Sequence, residues 1–106
     1  MMLTNKIANK LFNSDYIKDI YPMIDRIETH VVSDEDDEFP LYTLFIVVHL
    51  NDHSINNNNM YEKGFDPHHL VQTYLKFMLK MAGISTRDII QISVLVKNPN
   101  GEIVYG

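Results

Sequence analysis

Leu41-Tyr42-Thr43-Leu44-Phe45-Ile46-Val47-Val48-His49-Leu50 is the stretch that decides the fold. In an extended strand successive side chains point to opposite faces. Tyr42, Leu44, Ile46, Val48 and Leu50 then make one unbroken apolar face. Leu41, Thr43, Phe45, Val47 and His49 make the other, and it too is largely apolar. A strand apolar on both sides is central in its sheet, or its second face meets another molecule.

Upstream, Asp34-Glu35-Asp36-Asp37-Glu38 and Pro40 predict a loop. Met23 to Val32 alternates as a half-buried strand. Met23, Ile27, Thr29 and Val31 share one face, with Asp25 as an exception; Arg26, Glu28 and His30 share the other with Ile24 and Val32. Earlier still, Thr4 can cap a short helix whose Ile7, Ala8, Leu11 and Phe12 fall on one face. Asn5, Lys6, Asn9 and Lys10 are expected to face water. Asn13-Ser14-Asp15 ends that pattern, and Tyr16 to Tyr21 adds a helical turn before Pro22.

Downstream, Asn51 to Asp66 is a long polar loop holding four consecutive asparagines. Asp66 then caps a helix from Pro67 to Ala82, with proline at its first position and Phe65 stapled against Leu70. Leu70, Val71, Tyr74, Leu75, Met78 and Ala82 recur at helical spacing, and Gly83 supplies the left-handed stop. Ile89 to Lys97 alternates again, with Ile90, Ile92, Val94 and Val96 predicted inward. Asn98-Pro99-Asn100-Gly101 turns the chain into a short last strand, Glu102 to Tyr105. The order α-β-β-α-β-β predicts one α+β domain over residues 1–106. Its four-stranded, mostly antiparallel sheet carries two helices, both expected on one face.

Composition narrows the function. Hydrophobic residues make up 45% of the chain, enough for a core. The longest apolar run, Leu44 to Val48, falls far short of the ~20 residues that cross a bilayer, so no membrane role is expected. Without cysteine there is no disulfide and no thiolate chemistry. Net charge is −5, but five of the 14 acids sit in the one run; without them acids and bases balance. Nothing resembles the clustered Lys and Arg that displace counterions from phosphates, so no nucleic-acid partner is expected. No apolar segment follows the first lysine as in a secretory signal, which predicts a cytoplasmic protein, in a host cell or virion if of phage origin. Isoleucine, asparagine and lysine are abundant and alanine occurs only at Ala8 and Ala82, which points to an AT-rich genome, as in bacteriophages, many viruses and several bacterial groups.

Two places invite chemistry. His49 and His53 flank the end of the central strand, and His68 and His69 open the second helix. If the long loop folds back, all four approach one sheet edge, where imidazoles suit zinc or a similar ion. The partial positive charge of a helix N-terminus would keep His68 and His69 neutral, as ligands must be. The spacing matches no His-Glu-x-x-His motif. The acidic run lacks the alternation and glycine of a calcium loop. None of the serines lies in Gly-x-Ser-x-Gly, and no two glycines form a phosphate loop. No cofactor and no catalytic residue is therefore predicted.

What remains is surface. Leu41, Phe45, Val47, Ile89 and Leu95 fall on the face opposite the main core pattern, and Ile103 and Tyr105 lie on a short last strand open to strand addition. Burying one large apolar side chain contributes ~1.5–3 kcal/mol, so several together can drive association with a protein partner or with further copies. The expected function is a non-enzymatic structural or assembly subunit. Two alternatives are a metal-binding module or metal-dependent enzyme on the four histidines, and a small acidic regulatory binder of a host protein. The opening helix, with Ile20-Tyr21-Pro22 and Phe39-Pro40-Leu41-Tyr42 ahead of the strong strand, is similar to phage head–tail completion proteins. The likeness covers less than half of the chain and rests on common residue types; it implies a phage-particle or phage accessory protein.

Overall fold

The computed structural model describes residues 3–33 and 41–106; the acidic run and Pro40 lie outside them. Two short helices, α1 (Asn5–Phe12) and α2 (Asp15–Ile20), lead into β1 (Ile24–Ser33) and β2 (Tyr42–Leu50). A helical rod follows over residues 67–81. It is built of α3 (Pro67–His69), a π-helical stretch (Leu70–Leu75) and α4 (Lys76–Met81). A 3-10 turn (Thr86–Asp88) enters β3 (Ile89–Lys97), and β4 (Ile103–Tyr105) closes the order.

The α+β architecture is as expected, and β2 is an interior strand of a four-stranded sheet ordered β1-β2-β3-β4. β1–β2 and β3–β4 are antiparallel, while β2–β3 is parallel. A parallel pair needs a crossover of a dozen or more residues, and the rod supplies it. Tyr42, Leu44, Ile46, Val48 and Leu50 are all buried. They share one core with Ala8, Phe12 and Ile17 from the first helices and Leu70, Leu75 and Leu79 from the rod. Every described helix therefore contributes to the same side of the sheet.

The capping signals act as their residue types require. Thr4 Oγ1 accepts the Ile7 N–H at 3.2 Å, Asp66 Oδ1 accepts that of His69 at 3.1 Å, and Gly83 stops the rod at φ +80°. The loop over residues 51–66 is less polar than its composition suggests. Ile55, Met60 and Phe65 are buried, and the buried Asn98 side chain donates to the Ile55 carbonyl at 3.2 Å.

Two bulges reassign side chains. The β1–β2 register shifts between Ile24 and Arg26, and this turns Ile24 into the core where simple alternation placed it outside. The β2–β3 register shifts at Tyr42/Thr43, so Ile89 pairs with Tyr42 and packs against the core. Ile90, predicted inward, is 62% exposed instead. One extra residue in a strand swaps the faces of its neighbours.

α1 also departs from expectation. Asn5 and Asn9 do not merely face water. With Asn13, four residues apart on one stripe, they bond the outer backbone of β1. Asn5 Oδ1 accepts from Val31 N at 2.6 Å, Asn9 Oδ1 from Thr29 N at 3.1 Å, and Asn13 Oδ1 from Ile27 N at 2.7 Å. These are alternate residues of an edge strand, the ones whose N–H groups point away from β2. α1 thus seals the β1 edge side chain by side chain.

Candidate functional site

With every helix on one side, the second face of the sheet carries rows set by the strand register. His30, Phe45 and Ser93 lie abreast; so do Glu28, Val47 and Leu95, and then Arg26, His49 and Lys97. Phe45 is 45% exposed, with its ring centroid 6.3 Å from that of His30. Val47 and Leu95, directly paired, are half-buried beside it. Leu41 is half-buried just before β2, and Ile103 and Tyr105 are exposed on β4. Ile89 does not join this face, since the bulge turns it inward.

The apolar middle is bordered by charge at one end. Arg26 Nη2 lies 3.1 Å from Glu28 Oε1, and His49 Nε2 approaches the same oxygen at 3.0 Å. The imidazole contact is off the line that a well-formed hydrogen bond needs, so it acts as an ion pair when His49 is protonated. The Arg26 hydrogen bond, and then the charge of His49, hold the Glu28 carboxyl below the ordinary carboxylate range. Nearby, the Ser54 hydroxyl and N–H do the same for Asp52, at 2.6 and 2.8 Å.

The four histidines do not converge. His49 and His53 share an open cleft of about 660 Å³ with Arg26 and Lys97, cations that oppose a metal ion. His53 Nδ1 contacts Asn100 Oδ1 at 3.3 Å. His68 lines a different cleft, beside β3. His69 Nδ1 meets the Tyr21 hydroxyl at 2.8 Å. Burial, then the charge of Asp66 and the neighbouring Tyr74, push the Tyr21 phenol up to about 12. Among the described residues no three His, Asp or Glu side chains are grouped to hold a metal ion. The strand end and the helix start thus present their histidines to different clefts and partners.

An aromatic cluster went unread in the sequence. Tyr16, Tyr74 and Phe77 surround a cleft of about 260 Å³, with Tyr16 and Tyr74 edge to face at 6.0 Å. The spacing of Tyr74 and Phe77 on one helix face was the available signal.

No protein-family model matches this sequence. No curated protein matches it. Among solved structures, a chain in a cryo-electron microscopy structure of the type VI secretion system TssK-TssF-TssG baseplate subcomplex is similar over 87% of this chain, at 16% identity and a TM-score of 0.38. This protein spans 16% of that chain.

Proposed function

We propose that the protein is a non-enzymatic assembly subunit that lays its uncovered sheet face against another protein surface. Phe45, Val47 and Leu95, side by side on a face no described helix covers, carry this proposal. Three long strands at ~4.8 Å spacing and ~3.3 Å per residue give the face a plan area on the order of 400 Å², about half of the ~800 Å² that a stable partner covers. Association through the face alone is therefore weak. A larger assembly that also takes the rim of Arg26, Glu28 and His49 fits it better. The AT-rich residue usage supports a phage particle as the specific setting.

Sedimentation velocity across the micromolar range tests this, together with photo-crosslinking from a benzophenone side chain at position 45. Wild-type protein should sediment faster as concentration rises, or crosslink to a single neighbour in its native assembly. Phe45→Glu should abolish either behaviour, while Tyr61→Glu, on the exposed loop, should not. A wild type that stays monomeric and crosslinks to nothing refutes the proposal.

A further inference from the structure

The two edges of the sheet are treated differently. α1 seals β1 through Asn5, Asn9 and Asn13, whereas β4 covers β3 only at Val96 and Lys97. Gly106 then lies against Leu95, so closely that a Cβ there would sit 3.3 Å from the Leu95 Cα. Beyond it, among the described residues, no strand lies beside the outer edge of residues 90–93. Alternate residues of that edge turn N–H and C=O groups outward, a template for one more strand. The edge is long enough to pair with about four residues, ~13 Å of extended chain.

A trough runs along this edge, separate from the open sheet face. Two clefts, of about 640 and 130 Å³, meet at Val71, Gln72 and Ile92. The far wall is the rod, and Val71 and Gln72 belong to its π-helical stretch, a distortion common at functional sites. Val71, Ile92 and Val94 make the trough partly apolar. Its charged side chains have one sign: Lys76 and the ionisable His68 line it, and among the described residues no Asp or Glu does.

We infer that residues 90–93 are a docking edge for an extended segment of another protein, running antiparallel to β3 in line with β4. The segment has apolar side chains at alternate positions, over Val71 and Ile92, and a carboxylate that reaches Lys76. A second copy of this chain fits poorly: its β1 edge is sealed, and its nine-residue β3 would run into β4.

The probe is a short acetylated peptide of alternating valine and threonine, ended by glutamates, titrated in excess into isotope-labelled protein. The amides of residues 90–93 should shift and gain exchange protection. A twin peptide N-methylated at alternate residues, unable to form the ladder, should not bind. Lys76→Glu should weaken the unmodified peptide about two- to fivefold, as for an exposed ion pair. A peptide ended by lysines should recover that loss. Phe45→Glu should bind as wild type does, which separates this edge from the open face. Absent shifts, equal binding of the N-methylated twin, shifts centred on Phe45 and Val47, or shifts that follow protein rather than peptide concentration would each overturn the inference.

Discussion

Replacing Asn13 should show whether the asparagine stripe on α1 holds the sheet edge. Asn13 Oδ1 accepts the Ile27 N–H at 2.7 Å, and its Nδ2 donates to the carbonyls of Ile27 at 2.8 Å and Asn9 at 2.7 Å. Asn13→Ala removes two bonds to the Ile27 backbone at about 1 kcal/mol each, and leaves a donor without a partner on a residue only 2% exposed, a penalty of about 1–3 kcal/mol. Since the same N–H is counted in both, the net loss should be about 2–3 kcal/mol, a large share of the ~5–15 kcal/mol typical of a domain. With a urea m-value of about 1–3 kcal/mol/M, the unfolding midpoint should fall by about 1 M. Aspartate separates the roles. Asn9 uses only its oxygen toward β1, accepting from the Thr29 N–H and, at 2.7 Å, the Thr29 hydroxyl, so Asn9→Asp should stay within about 0.5 kcal/mol of wild type. Asn13 uses both ends of its amide, and Asn13→Asp sets a carboxylate oxygen against two carbonyls, so it should lose at least as much as Asn13→Ala. Circular dichroism during urea unfolding measures these three and Asn9→Ala beside them. Asn13 variants indistinguishable from wild type, or Asn9→Asp as damaging as Asn9→Ala, would refute the reasoning.

Tyr21 ionises at about 12 in the folded protein against 10.0 ordinarily, so between those values the native state holds a proton that the unfolded chain releases. Its contribution is therefore whole below pH 10 and is lost as pH rises toward 12; Tyr21→Phe should flatten that part of a stability–pH curve, and an unchanged slope would contradict it. The same substitution removes the 2.8 Å contact with His69 and should lower stability near neutral pH by about 0.5–1.5 kcal/mol in urea unfolding. Asp66→Ala removes the cap on the rod, which is expected to reduce stability by about 1 kcal/mol and the melting temperature by about 4–8 °C, while Asp66→Asn keeps the acceptor and should melt close to wild type.

The interior place of β2 and the start and stop of each helix were legible because each depends on local chemistry. Apolar side chains on both faces of Tyr42–Leu50, a threonine at position 4, Asp66 before Pro67 and a glycine at 83 act within a turn or two of chain. The bulges were not legible. An extra residue beside Arg26 or at Ile90 leaves composition untouched while exchanging the faces of Ile24, Ile89 and Ile90. The short connections made the two antiparallel pairs legible, but the parallel pairing of β2 with β3 was hidden, since side-chain alternation is the same in parallel and antiparallel pairs. In the candidate site, the exposure of Phe45 followed from the pattern, but the gathering of four histidines did not. Proximity along the chain ignores that His49 faces Glu28 while His69 faces Tyr21. The asparagine stripe carried a readable signal, three identical residues four apart, but its acceptor was a strand two elements away.

The parallel pairing of β2 with β3 has a kinetic consequence. β1 meets β2 across a short connection, whereas β3 must return over residues 51–88, and closing the longer span loses more chain entropy. On folding from the denatured chain, β1, β2 and α1 therefore come together ahead of the β2–β3 pairing. During that interval the partner edge of β2 is bare and rich in β-branched side chains, the condition under which nascent chains aggregate. By then Asn5, Asn9 and Asn13 can already shield the opposite margin, which leaves a single adhesive border until the crossover docks.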